Sequence, residues 1–253
     1  MTTLALYHLK GGVGKTAAAV NLAYLAARTG APTLLVDLDP QSSATYYFRV
    51  KPRLHEGAKL LIKNRKTVLN HIRATEFEDL DLLPADQNLR KMDSFLASQK
   101  KPLTVIKDFL APLKKDYEYI FLDCPPTLSL VAEAIFAATD VLLTPVIPTF
   151  LSARTHTQLA KFLEKKRFKP LRWYSFISMM DGRKTLHRDF MASLRQDESL
   201  FLRSIIPFLS DVERMGIYRQ PLPCFNPNSE ASYAYRRLWW EIEGRISQTT
   251  PAP

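Results

Sequence analysis

The chain has 253 residues, 46% of them hydrophobic, with 35 Lys and Arg against 25 Asp and Glu and a formal net charge of +10. That length and apolar content suit one α/β unit with a full core, and no apolar run reaches the roughly 18 residues a membrane span needs. Met1-Thr2-Thr3 passes straight into an apolar run, which predicts no signal peptide, and the two cysteines, Cys124 and Cys224, predict reduced thiols, not a disulfide scaffold.

In chain order, the apolar run Leu4-Ala5-Leu6-Tyr7-His8-Leu9 breaks into Lys10-Gly11-Gly12-Val13-Gly14-Lys15-Thr16. A strand, a glycine-rich turn ending in Lys-Thr and a helix over 16–29 make a phosphate-binding loop. The glycines let backbone N–H groups curl around phosphate oxygens, and the helix aims its N-terminus at the same anion. Lys15 can reach terminal phosphates and the Thr16 hydroxyl can ligate Mg²⁺. Lys10 is a second lysine, one more than such a loop needs.

A strand over 33–38 ends in Asp37-Leu38-Asp39-Pro40-Gln41, another is predicted at 80–84, and one over 118–123 ends in Asp123-Cys124-Pro125-Pro126. In an open parallel sheet, ligands sit at the carboxyl ends of strands. Three strands therefore deliver Lys15 and Thr16, Asp37 and Asp39, and Asp123 to one edge. A lone strand-terminal Asp often just caps the next helix. Several beside a phosphate loop are not explained that way.

Further strands are predicted at 140–147, 173–180, 203–208 and 222–225, with helices between them. The helix over 153–167 sets Leu159, Phe162 and Leu163 against Lys161, Lys165 and Lys166. Strand–helix alternation predicts an α/β fold with a single doubly wound, mostly parallel sheet flanked by helices, spanning 1–247, with 248–253 a disordered tail. The last helix, 230–246, mixes Tyr235, Arg236, Arg237, Trp239 and Trp240 as interfacial membrane helices do. However, Leu238, Trp239, Ile242 and Ile246 share one stripe, and Glu241 and Glu243 follow the aromatics. That pattern predicts packing on the sheet, with Arg236 and Arg237 outside, and argues against a membrane partner.

These residues carry a family resemblance over nearly the whole chain. The lysine-opened loop, the Asp37–Gln41 and Asp123–Pro126 runs, Leu82-Leu83-Pro84-Ala85, Met179-Met180-Asp181-Gly182-Arg183, Ile206-Pro207, Asn226-Pro227 and Ala234-Tyr235-Arg236 resemble the ParA/MinD group of P-loop ATPases. The pattern is closer to ParA partition ATPases than to MinD. The resemblance implies ATP and Mg²⁺ as cofactors. Nucleotide contacts would come from Gly11, Gly12, Val13, Gly14, Lys15, Thr16 and Ala17, and from Met180 and Pro207. Lys10 would reach the partner's phosphates across an ATP-bound homodimer, joining Lys15 and Asp39 as catalytic residues. Asp39 would position the attacking water, and Asp37 and Asp123 would hold Mg²⁺ through water, beside Thr16. Two departures stand out: Ala17 replaces a second hydroxyl expected at the α-phosphate, and Glu230 stands where a basic residue is usual. An iron–sulfur relative of the same superfamily needs four thiolates, which two cysteines from each half of a dimer could supply, but it is disfavoured because Cys124 is expected buried beside the Mg²⁺ site and Cys224 in a Pro-flanked strand.

Residues 151–253 hold 17 Lys and Arg against 10 Asp and Glu, and 12 of those cations are Arg. A basic face favours phosphate backbones, and no base-reading motif is present, so the pattern predicts sequence-independent DNA binding. Arg203, Arg219, Arg236 and Arg237 are the candidate contacts. The expected function is a cytoplasmic, nucleoid-associated switch ATPase that dimerises with ATP and positions a cargo, with a ParB-like or cargo-adaptor protein stimulating hydrolysis. The alternative is a MinD-type membrane-associated positioning ATPase. A metabolic enzyme on the same fold is a third class, for which no substrate pocket is legible.

Overall fold

The computed structural model describes residues 1–51, 57–63, 65–166, 168, 171–194 and 200–248. Among them, eight strands form one sheet: β1 (Thr2–Leu6), β2 (Thr33–Asp37), β3 (Arg73–Ala74), β4 (Leu80–Leu83), β5 (Tyr119–Asp123), β6 (Val141–Val146), β7 (Arg172–Met180) and β8 (Phe201–Pro207). Their order is β3-β4-β2-β5-β1-β6-β7-β8, parallel throughout except for β3, which runs antiparallel to β4. The helices are α1 (Lys15–Ala27), α2 (Ser43–Tyr47), α3 (Arg65–Leu69), α4 (Met92–Ala97), α5 (Val105–Leu110), α6 (Leu130–Ala138), α7 (Phe150–Lys166), α8 (Thr185–Leu194), α9 (Ser210–Tyr218), α10 (Leu222–Phe225) and α11 (Glu230–Ser247).

The central strands are continuous apolar runs because helices cover both faces, so alternation carries no advantage. Every residue of β2 and β5 is buried. One core lies under α1 and α11, with Leu22, Ala26, Leu238 and Ile242. The other lies under α5 and α6, with Ile106, Phe109, Ile135 and Phe136. The α11 stripe packs as its spacing predicts: Leu238, Trp239, Ile242 and Ile246 are buried, and the Trp239 ring meets Tyr119 edge-on at 5.1 Å.

The predicted strand at 222–225 is a short helix instead, α10, so Cys224 lies in a helix. Pro221 enters it at φ −56, and Pro223 in its first turn loses no hydrogen bond there, whereas in a ladder it would remove one. The two-residue β3 went unseen because Arg73-Ala74 has no β pattern. Of the predicted tail, Gln248 ends α11, and 249–253 lie outside the described residues.

Strand register places the functional ends together. Asp37 and Asp123 are paired across β2 and β5, and Leu6 pairs with Asp123 across β1 and β5. The strand that enters the loop and the two strands that end in carboxylates therefore finish at one level.

Candidate nucleotide site

The loop between β1 and α1 owes its path to two glycines in the left-handed region, Gly12 at φ 71 and Gly14 at φ 92. Only glycine adopts this conformation without cost. A side chain at Gly14 would also meet Ser178 Oγ, 2.9 Å from an ideal Cβ position. Ser178, on β7, donates from Oγ to the Val13 carbonyl at 2.9 Å, which pins the loop to the sheet. Gly14 precedes the first turn of α1 without a side-chain cap. The loop amides at the positive end of the α1 dipole are thus left for an anion.

Lys15 is buried, and its Nζ lies 3.4 Å from the Lys10 carbonyl. Burial lowers its pKa, and the Asp123 carboxylate pulls it back. Lys10 and Thr16 are half-buried, while Gly11 and Gly12 are exposed. The loop therefore opens to solvent on the side where Lys10 lies.

Asp37 is buried and held: Oδ2 accepts from Thr45 N at 2.9 Å and Thr45 Oγ1 at 2.7 Å, and Oδ1 accepts from Asp39 N at 3.2 Å. Burial nevertheless pushes its pKa up to about 6, against the Thr45 bonds. Asp123 is fully buried, and neither carboxylate oxygen is in a well-formed hydrogen bond, the Thr16 hydroxyl being the side-chain donor that bears on it. Desolvation and the neighbouring Asp37 raise its pKa well above the ordinary range, with Thr16 and Lys15 pulling the other way. An unpartnered buried carboxylate costs several kcal/mol or stays protonated unless a cation or donor reaches it. Two carboxylates and the Thr16 hydroxyl form the all-oxygen donor set that suits Mg²⁺ bound partly through water. The residues present therefore fit a divalent cation beside a phosphate.

Asp39 is half-buried, and its Oδ1 accepts from Gln41 N at 2.9 Å. It borders an open cavity of about 370 Å³ together with Gln41, Arg90, Pro125 and Thr127. A carboxylate here can accept a proton from, or align, a water at the phosphate edge.

Met180 and Pro207 are paired across β7 and β8. They line a cavity of about 840 Å³ with Asp181, Glu213, Glu230 and Arg237. Asp181 is held by Arg183, whose Nε and Nη2 donate at 2.9 and 3.0 Å and keep its pKa down at about 2.

The four candidate DNA arginines have different surroundings. Arg219 donates to the Tyr46 carbonyl at 3.0 Å, and Arg236 stacks on the Tyr233 ring at 5.2 Å. Arg237 is exposed but faces the Met180–Pro207 cavity, and Arg203 is exposed on β8, its N–H donating to Glu241. Three residues that shape the site escaped sequence reasoning: His8, Thr45 and Ser178. The available signal was a polar side chain inside an apolar strand, as for Ser178, or next to one, as for His8.

A model of an AAA domain matches residues 1–170. The chromosome-partitioning ATPase Soj of Thermus thermophilus is 32% identical over 97% of this chain and 96% of its own. A cobyrinic acid a,c-diamide synthase from Mycobacterium smegmatis, solved with an ATP analog and magnesium, superposes with a TM-score of 0.83 at 23% identity, over 100% of this chain and 98% of that one. A Cyanothece McdA–ATP complex gives 0.81 at 20% identity, over 100% and 99%. At those identities the two structures speak for the fold. The sequence matches speak for descent, and on them the chain belongs to the ParA/MinD family of P-loop ATPases.

Proposed function

We propose that this protein is a cytoplasmic, nucleoid-associated switch ATPase that dimerises with Mg²⁺-ATP, binds DNA of any sequence, and positions a cargo until a ParB-like or adaptor protein stimulates hydrolysis. The observation that carries the ATPase reading is Asp123, fully buried with neither oxygen in a well-formed hydrogen bond, beside Lys15, Thr16 and Asp37. Such a group is tolerated where a ligand completes it.

The loop amides and Lys15 bind the phosphates. Thr16, Asp37 and Asp123 hold the metal, which when bound neutralises charge on the transferred phosphoryl group. Asp39 orients the water, and Lys10 on the open side of the loop reaches a partner's phosphates. The partition role draws on the Thermus relative, whose name describes that activity. The DNA role draws on the basic excess of residues 151–253.

The membrane-associated alternative draws less support. The apolar stripe of α11, Leu238, Trp239, Ile242 and Ile246, is buried against the sheet and so is not presented to a membrane surface. A gel-shift of random-sequence DNA, with and without ATP across a salt series, set against sedimentation with anionic liposomes, tests the choice. ATP-dependent, salt-sensitive DNA retention supports the proposal. Liposome binding without DNA retention refutes it.

A further inference from the structure

The side chain of His8 is fully buried immediately before the phosphate loop. Its Nδ1 accepts the backbone N–H of Lys10 at 2.9 Å. That bond requires an unprotonated Nδ1, so the ring proton sits on Nε2. Nε2 lies 3.5 Å from Ser152 Oγ and 3.4 Å from Thr155 Oγ1, both in the first turns of α7. Ser152 Oγ in turn accepts the Ile147 N–H at 3.1 Å, at the end of β6. One imidazole therefore ties the loop lysine to the helix beside it.

The backbone of Lys10 is held at two points: its N–H by His8 and its carbonyl by Lys15 Nζ. Lys15 has only one ammonium. The Lys15 contact is the longer of the two, 3.4 Å against 2.9 Å, and the same ammonium is the group assigned to the phosphates. His8 therefore makes the firmer hold on the Lys10 backbone. Burial, with the Lys15 charge and His156 adding to it, lowers the His8 pKa to about 4, so the acceptor persists at neutral pH.

We propose that His8 is a positioning residue for Lys10, aiming it in the ATP-bound state and joining the phosphate loop to the first turns of α7. This rests on the reading that Lys10 acts across an ATP-bound dimer. The geometry makes the effect selective. Phosphate affinity comes from the amides, Lys15 and the α1 dipole, none of which needs His8. Dimer formation and turnover need Lys10 in place.

Two variants separate the possibilities. His8→Leu keeps the apolar bulk and removes the acceptor. His8→Asn keeps an acceptor within reach of the N–H two residues on, as in an Asx turn. The test measures ATP affinity, ATP-dependent dimerisation and steady-state hydrolysis for the parent and both variants. His8→Leu should leave ATP affinity within about threefold while dimerisation and turnover fall about tenfold, and His8→Asn should restore most of that loss. A His8→Leu protein that dimerises and turns over like the parent overturns the proposal. So does an ATP affinity that falls as far as turnover, which would mean the ring supports the whole loop, and so does failure of His8→Asn to rescue. If the parent itself forms no ATP-dependent dimer, the switch reading falls and His8 falls with it, an outcome distinct from a competent parent with indifferent variants.

Discussion

Arg219 Nε donates to the Tyr46 carbonyl at 3.0 Å, and its guanidinium lies 4.4 Å over the Tyr46 ring. Tyr46 OH donates to Gly216 O at 3.2 Å, and Arg49 donates to Tyr218 O at 2.8 Å. The last turn of α9 is thereby tied to α2, the helix whose Thr45 holds Asp37. Arg219→Ala should cost about 1 kcal/mol, a melting-temperature drop of about 2–4 °C in a chain of this size. A melting temperature unchanged by Arg219→Ala, read by scanning calorimetry, would show that the contact contributes nothing.

Lys15→Ala should abolish ATP binding, because it removes the main side-chain charge from the phosphate loop. Lys10→Ala should leave binding largely intact and lower dimerisation or turnover about tenfold, since its proposed target is the phosphate of the other subunit. Calorimetric titration with an ATP analogue, alongside light scattering, separates the two.

Asp39→Ala should accumulate an ATP-bound dimer. A carboxylate that orients water acts in the transition state, so turnover should drop by about 100-fold with little change in affinity. Hydrolysis at the parental rate would move the role to another residue on the same cavity, with Gln41 and Arg90 the next to examine.

Asp123 links function to stability. Its raised pKa means that the folded protein binds this proton more tightly than the unfolded chain does. Stability should therefore fall as pH rises from the ordinary 3.8 through about 6, where Asp37 also titrates, and on toward the higher value of Asp123. His8, with its pKa lowered from 6.5 to about 4, works in the opposite sense over part of that window, so the parent–variant difference is the informative quantity. Asp123→Asn should flatten this decline and raise the melting temperature at pH 7 without nucleotide or metal, while cutting Mg²⁺-dependent turnover about 100-fold. Thermal melts at several pH values, with and without chelator, check both halves.

Arg236→Glu combined with Arg237→Glu should weaken DNA binding and reduce its salt dependence, because each lost phosphate contact removes about one unit from the slope. Since Arg237 faces the Met180–Pro207 cavity, ATP affinity should be measured in parallel. A fall in ATP affinity with intact DNA retention would assign the pair to the nucleotide side.

The motif residues declared themselves because their chemistry is local. Glycines at positive φ, a lysine and threonine at a helix start, and aspartates ending apolar strands carry their meaning in sequence neighbours. The sheet was legible for the same reason, since buried parallel strands are unbroken apolar runs. The contacts that set each group's state are not local. Thr45 meets Asp37 only because α2 folds back beneath the end of β2, and Ser178 reaches Val13 from 165 positions away. His8 reads as one more strand residue until α7 arrives to face it. The arginines show the limit in the other direction: a count of charges locates a basic half of the chain, but whether a guanidinium meets solvent, a tyrosine ring or a cavity wall depends on which helices pack beside it. Sequence alone determined which residues are proposed to carry the phosphate chemistry. Tertiary packing decided their protonation, their orientation and which cations face water, because burial and long-range hydrogen bonds exist only once distant segments meet.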